Sequence, residues 1–355
     1  MHIRYNQEFE HRLKAGFIGC GSHAFRNVAP CFQFAPVQLV AACDLQLKQA
    51  QSFRIFGAER FYTDHRAMLE TEKLDVVFIV TNYDEQGHPR YPAIAQDALA
   101  AGAHVWIEKP PAASSEEILA LINASQTAHR HVGVGFKKMF FPANQKAKEI
   151  ISRPQFGRVS SITARYPQSL PPLEARSDDR KMIGFLDHVV HPHSLLRLLG
   201  GDLEWLFANR HENGAAMVSL RFKNGIVGNL HFANGQAGHS HFEHTEVVGE
   251  GENVVIENNL RVRYFRKGSG PAYGREGTYF GADESAPLCW EPEFSLGQLH
   301  NKGLFLLGYA PEIIHFTTHL LENKGPELGT LQDALEILKI YEAYRKPDGV
   351  VQYIN

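Results

Sequence analysis

In the first part of the chain, short apolar runs alternate with longer stretches whose apolar positions recur at helical spacing. Leu13–Ile18, Val37–Cys43, Arg60–Tyr62, Val76–Thr81, His104–Ile107 and His131–Gly135 read as strands. Val76–Thr81 is almost wholly apolar, as a parallel strand covered on both faces should be. Between these runs, Ser22–Phe34, Leu45–Phe56, Asp64–Thr71, Pro89–Ala101 and Glu116–Ala128 read as helices. Gly102 is a helix stop, and Ser114/Ser115 followed by Glu116/Glu117 is a helix start. Strand and helix alternating at this spacing predict an α/β domain built on a doubly wound parallel sheet. Its ligands should lie at the carboxyl ends of the strands.

The pattern changes after Phe141-Pro142. Asn144–Ile151 reads as a helix, Val159–Tyr166 as a strand, Pro167–Arg180 as a loop and Met182–Leu199 as mainly helix, ending at Gly200-Gly201. Strand-like runs follow at Ala215–Phe222, Ile226–Phe232, Glu243–Gly249, Asn253–Ile256 and Arg261–Phe265. Lys223-Asn224-Gly225 signals a tight hairpin. Gly268–Trp290 is loop-like, and Ala310–Glu322 and Thr330–Tyr344 are closing helices. The expectation is an α+β domain with a mainly antiparallel sheet over residues 143–355, after a nucleotide-binding domain over 1–142.

Composition narrows the possibilities. The 355 residues leave room for about two domains, and 44% hydrophobic with 21% charged content is that of a soluble globular protein. A net charge of -3 without a long basic block argues against a nucleic-acid partner. No apolar run is long enough to span a bilayer, and the N-terminus has no signal-like apolar core. Cys20, Cys31, Cys43 and Cys289 lack CxxC spacing and suit buried reduced thiols in a cytoplasmic protein.

Three stretches carry candidate chemistry. Gly19, Gly21 and Ala24 follow the first strand in the pattern G-x-G-x-x-A. Gly19 permits the tight turn, Gly21 lets a pyrophosphate approach the backbone, and Ser22-His23 opens a helix whose free N–H groups attract phosphate. Taken alone, the pattern also fits a turn that binds nothing. Asp44, ending the second strand, stands where a ribose diol is held, and its charge favours NAD over NADP. An ordinary helix N-cap is the other reading of Asp44, and Lys48 could soften the preference. Thr81, Asn82, Glu108 and Lys109 also fall at strand ends. The other two stretches are Glu108-Lys109-Pro110 and Asp187-His188-Val189-Val190-His191.

Together with Val134-Gly135, Phe140, Pro142 and the ending Thr330–Leu335, these residues resemble the Gfo/Idh/MocA family of sugar and cyclitol oxidoreductases across nearly the whole chain. The resemblance implies a Rossmann domain followed by a domain on a large, mainly antiparallel sheet. It also implies NAD(P)-dependent hydride transfer at a hydroxyl-bearing carbon, and a homodimer or homotetramer formed through the open sheet face. Lys109 matches the lysine that hydrogen-bonds the reacting hydroxyl. His191 matches a histidine able to act as general base, with an ordinary pKa of roughly 6.5. Asp187 would orient that imidazole or bind a neighbouring hydroxyl. Four-residue spacing places Asp187 and His191 on one helix face, unless Pro192 marks the helix start and a turn holds the pair.

The chain departs from the family pattern at three places. Ser194 stands where an acidic residue is common, and Tyr91 where a histidine is common, after an enlarged loop Tyr83–Arg90. Phe136-Lys137-Lys138 replaces a histidine-asparagine type segment. Tyr166, Arg165, His188, Lys181 and Arg180 are further substrate-side candidates, with Tyr309 behind them; Arg180 and Lys181 equally suit a solvated positive patch. His188, His191, His193 and Asp187 could in principle ligate a metal, but the resemblance implies none. His239, His241 and His244 suit a loop or sheet surface. The substrate expectation is a small sugar, sugar acid or cyclitol. Two other functions fit the same motifs: a hydrolase or lyase that oxidises its substrate transiently, and a sugar sensor without catalysis.

Overall fold

The computed structural model describes residues 3–267, 286–293 and 302–355. Six parallel strands form the first sheet: β1 (Leu13–Ile18), β2 (Val37–Cys43), β3 (Arg60–Tyr62), β4 (Val76–Ile79), β5 (His104–Ile107) and β6 (Val132–Val134). Their order is β3-β2-β1-β4-β5-β6, so the succession of strands switches from one side of β1 to the other between β3 and β4. In β4 and β5 the side chains alternate between two cores. Val77, Ile79, Val105 and Ile107 enter one, and Val76, Phe78 and Trp106 enter the other. This double burial is why β4 reads as an unbroken apolar run.

The helices of this half are α1 (Leu47–Ser52), α2 (His65–Thr71), α3 (Tyr91–Ala100) and α4 (Ser115–Ala128). Two expected helices are less regular than the pattern suggested. After Gly21 the chain is helical to Phe34, but as a π turn (Ala24–Val28) followed by a 3-10 stretch (Ala29–Phe34). Pro30 has no N–H to donate and its ring crowds the preceding turn, which breaks the α-helical ladder. The segment expected over Leu45–Phe56 is α1 continued by a 3-10 turn, stopped by Gly57 at φ 105°.

The second sheet has nine strands, and its core strand is β7 (Ser161–Tyr166). The others are β8 (Leu203–Arg210), β9 (Ala216–Phe222), β10 (Val227–Phe232), β11 (His244–Val248), β12 (Asn253–Glu257), β13 (Arg261–Phe265), β14 (Leu288–Trp290) and β15 (Gln352–Tyr353). Neighbours are antiparallel except β7 and β10, which run parallel. The β9–β10 hairpin turns through Lys223-Asn224-Gly225, with Gly225 at φ 94°. Strands β8, β14 and β15 were not foreseen. β14 lies within the stretch expected to be a loop, whose residues 268–285 fall outside the described residues.

Helices α5 (Pro142–Ile151) and α6 (Asp179–Gly200) cover one face of this sheet. The closing helices α7 (Lys302–Leu306), α8 (Tyr309–Leu321) and α9 (Leu331–Tyr344) tie the two sheets together. α8 buries Ile313, Phe316 and Leu320 in the core that holds Phe17, Phe78 and Trp106 of the first sheet. α9 packs against α4 and α6, and Glu342 accepts from the Ser115 N–H at 2.6 Å and hydroxyl at 2.9 Å. Cys20, Cys31 and Cys43 are buried free thiols, whereas Cys289 is exposed.

Candidate active site

The carboxyl ends of the first sheet's strands converge on two joined clefts. Gly19 holds φ 88°, and a Cβ there would stand 2.0 Å from the Val80 carbonyl oxygen, so only glycine fits. A Cβ on Gly21 would meet nothing within 4 Å, which leaves that backbone open to a ligand. Asp44 accepts the Cys20 N–H at 2.8 Å and the Gln46 N–H at 2.9 Å. The N-cap of α1 is Gln46, so the capping role is not Asp44's. Asp44 lines a cleft of about 860 Å³ with Gly19, Gly21, Leu45, Thr81 and Asn82. Among the described residues, the buried Thr81 hydroxyl lacks a hydrogen-bond partner.

The second cleft, of about 430 Å³, shares Gly21, Thr81, Asn82 and Tyr83 with the first and adds Ser22, His23, Glu108, Lys109 and Asp187. Glu108 is buried. It accepts from His23 Nε2 at 2.9 Å and from the Lys109 N–H at 2.8 Å. His23 Nδ1 faces the Asn27 amide at 3.0 Å, which leaves Nε2 as the protonated nitrogen. Lys109 Nζ donates to Asp187 Oδ1 at 2.9 Å and to the Asp187 carbonyl at 3.3 Å.

Asp187 and His191 share one face of α6, because the helix runs unbroken from Asp179 to Gly200 with Pro192 inside it. The turn alternative therefore does not apply. Asp187 engages Lys109 and the Tyr83 hydroxyl, the latter at 3.2 Å, rather than the His191 ring. His191 is 8% exposed, with its ring centroid 6.5 Å from those of Tyr166 and His188. The imidazole expected to be poised near neutrality is instead held well below that range. Burial is the main cause, followed by the charges of Lys109, Lys138 and Lys137. Lys138 is buried, paired with Glu243, and lies 4.6 Å from the Tyr166 ring centroid.

The remaining candidates sit further out. His188 is largely exposed and its Nδ1 lies 2.9 Å from the Gly184 carbonyl. Lys181 is exposed, 3.7 Å from Asp178, and lines neither cleft. Tyr166 faces the helices, but Arg165 falls in the opposite register of β7. His193 points away from His191 and meets the Tyr344 hydroxyl at 3.0 Å. Among the described residues, no group of three or more His, Cys, Asp or Glu is placed to hold a metal ion.

The enlarged loop after Asn82 crosses from the first sheet to α6. Gly87 seats against the backbone of Asp179 and Arg180, His88 Nε2 lies 3.0 Å from Asp179, and Arg345 holds the same carboxylate at 2.6 Å. This loop carries Tyr83 into the site. Tyr83 was missed in the sequence because its partner, Asp187, lies 104 residues away.

Residues 13–136 match the family described as the Gfo/Idh/MocA oxidoreductases with an NAD-binding Rossmann fold, and residues 144–255 match that family's C-terminal domain. The chain belongs to the Gfo/Idh/MocA oxidoreductase family. Among its relatives, a 1-carboxy-3-chloro-3,4-dihydroxycyclohexa-1,5-diene dehydrogenase from Comamonas testosteroni is 28% identical over 75% of this chain and 70% of its own length. A D-glucoside 3-dehydrogenase from Escherichia coli is 29% identical over 43% of each chain. The solved levoglucosan dehydrogenase, in complex with NADH and levoglucosan, shares the fold with a TM-score of 0.76 at 20% identity, covering 97% of this chain and 100% of that one.

The donor set suits the family's dinucleotide. Gly21 offers open backbone, Asp44 stands at the end of β2, and the two clefts join through Asn82 and Tyr83. Where this Gfo/Idh/MocA member departs from the family pattern, other contacts take over. The Tyr91 hydroxyl donates to the Thr81 carbonyl at 3.0 Å, and the Ser194 hydroxyl to the His191 carbonyl at 2.9 Å. Lys137 meets Tyr309 at 2.8 Å.

Proposed function

We propose that the protein is an NAD-dependent dehydrogenase of a secondary alcohol on a sugar, sugar acid or cyclitol. The observation that carries this reading is the Lys109–Asp187 pair in the smaller cleft, with His191 one helical turn beyond Asp187. Bound NAD would supply the hydride acceptor. Gly19, Gly21, Ser22 and His23 would hold its pyrophosphate end, Asp44 its ribose hydroxyls, and Thr81, Asn82 and Glu108 would border the nicotinamide end.

Lys109 donates a hydrogen bond to the reacting hydroxyl. Asp187 keeps that ammonium in place, and its second oxygen is left to accept from a neighbouring hydroxyl. His191, neutral through its burial, accepts the hydroxyl proton on an imidazole nitrogen as the adjacent C–H bond gives up hydride. Tyr166 and His188 flank the imidazole and border the substrate; Lys181 would contribute only through its charge. The first 142 residues bind the cofactor. The remainder bind substrate and support a cytoplasmic homodimer or homotetramer through the uncovered sheet face that carries Met217 and Val227.

The loop from Tyr83 to Arg90, which spans from the first sheet to α6, also favours slow cofactor exchange. That is what the transient-oxidation alternative needs. One experiment addresses both. The absorbance of NADH is followed with NAD and a panel of polyols, aldonic acids, hexoses and cyclitols, for wild type, Lys109→Ala and His191→Ala. NADH accumulating with one class, and lost in both variants, supports the dehydrogenase. Co-purifying nucleotide without net NADH supports transient redox, and binding without turnover leaves a sensor.

A further inference from the structure

β5 and β6 are adjacent parallel strands, with Ile107 in register with Val134. The chains leaving them therefore emerge side by side, about 4.8 Å apart. They stay close: a Cβ on Gly135 would stand 3.2 Å from Glu108 Cα. Lys109 ends the first of these exits and Lys137 the second, so two ammonium groups share one rim of the sheet.

The lysines here differ in their partners. Lys109 is paired with Asp187, and Lys138 with Glu243. Lys137 Nζ donates to the Tyr309 hydroxyl at 2.8 Å and lies 4.6 Å from that ring's centroid. Among the described residues, it forms no ion pair with a carboxylate. The Tyr309 hydroxyl is occupied as an acceptor, and its own proton has no acceptor among the described residues. Tyr309 packs edge-on to His23, 5.7 Å between centroids, and His23 lines the smaller cleft. Burial pulls the Lys137 ammonium below its ordinary range, while Glu108 pulls it back. Glu108 is already occupied by His23 and the Lys109 N–H. Glu312, one turn beyond Tyr309, is buried. Burial raises its pKa well above the carboxylate range, and it forms no ion pair with Lys137.

A half-buried ammonium beside a hydroxyl proton, neither bonded directly to a carboxylate among the described residues, is a donor pair suited to a carboxylate. We infer that Lys137 and Tyr309 form a carboxylate-binding subsite beside Lys109, and that the substrate is a sugar acid rather than a neutral sugar or cyclitol. This rests on the dehydrogenase reading above and narrows its substrate class.

The test is binding to the NADH complex. D-Gluconate and D-glucuronate are titrated against D-glucose and myo-inositol by calorimetry, with wild type, Lys137→Met and Tyr309→Phe. The acids are expected to bind wild type about tenfold or more tightly than the neutral compounds. Lys137→Met should abolish that difference and Tyr309→Phe reduce it, with NADH affinity kept in both. Tyr309→Phe, which removes one oxygen, provides the reading if Lys137→Met does not fold. Equal binding, a preference for the neutral compounds, or no binding of the acids overturns the inference, as does a difference that survives both substitutions. In the last case Lys137 serves only to offset Glu108. Failure of wild type to bind NADH at all instead removes the dehydrogenase reading beneath it.

Discussion

The Tyr83 hydroxyl and Lys109 ammonium converge on one oxygen of Asp187, at 3.2 and 2.9 Å. Asp187 is thereby fixed from two directions, by the loop after β4 and by the end of β5. Its other oxygen lies 3.7 Å from His188 Nδ1. Tyr83→Phe removes one tether and adds no bulk. Activity on the preferred substrate is expected to fall by about tenfold, the equivalent of one hydrogen bond to a charged group. Steady-state kinetics should show the loss mainly in kcat, with NADH affinity held. An unchanged kcat would remove Tyr83 from the positioning set.

In the proposed function, Asp44 sets the cofactor preference. Its carboxylate stands at the end of β2 and would repel a 2′-phosphate. NAD is expected to bind at least about tenfold more tightly than NADP. Asp44→Ser should narrow or reverse the difference, although the Cys20 and Gln46 N–H groups also lose their acceptor. Titration with both nucleotides measures this, and tighter NADP binding by wild type would contradict the assignment.

His191 carries a pH prediction. Its pKa lies well below 6.5 through burial and three nearby lysines. A base with a depressed pKa stays neutral further into acid, so the acid limb of the kcat/KM profile should fall below pH 6.5. Lys137→Met removes one of the opposing charges and should move that limb upward. An acid limb above 6.5 would show that His191 is not the titrating base.

His104 predicts how stability responds to acid. Its ring stacks on His131, and its Nδ1 accepts the His131 N–H at 2.9 Å, an arrangement that requires the nitrogen to be unprotonated. Burial lowers its pKa from 6.5 to about 4. Above pH 6.5 the ring is neutral whether the chain is folded or not. As pH falls toward 4 the unfolded chain takes up the proton first, and stability is lost. The melting temperature should drop over that window, and His104→Gln should lessen the drop by roughly 3 °C. An unaltered slope in the variant would assign the acid loss to other groups.

Phe316 joins α8 to the first sheet. It is 2% exposed, and its ring fills the space where a Cβ on Gly133 would stand, 2.8 Å away. Phe316→Ala should cost about 3–5 kcal/mol, and Gly133→Ala should destabilise by forcing the same contact apart. Denaturant unfolding monitored for both variants checks this. Little change in Phe316→Ala would show that α8 contributes less to the first sheet than its burial implies.

Much of the frame was legible in the chain itself. Strands β4, β5 and β6 announce themselves as apolar runs because they are buried on both faces, whereas the edge strand β3 is not. The β9–β10 hairpin is marked by its Asn-Gly pair, whereas Asp187 was expected to orient His191 and instead pairs with Lys109. β8 was missed, although Leu203, Leu206 and Ala208 are buried along it, because a bulge between Leu203 and Trp205 interrupts the alternation. The irregular helix after Gly21 was written in Pro30, but its form depends on how the chain relieves that proline against the sheet.

The sequence by itself determined the local elements, the glycine turn and the acidic residue after β2, since each depends on neighbours within a few positions. Only the tertiary structure decided which distant groups meet. Tyr83 reaches Asp187 across 104 residues, and Lys137 reaches Tyr309 across 172. The basicity of His191 was likewise beyond the sequence, because it follows from burial and from lysines on other elements. Hydrophobic periodicity is a property of one segment and can be read along it. A pKa, or a paired donor, belongs to the space that several segments enclose.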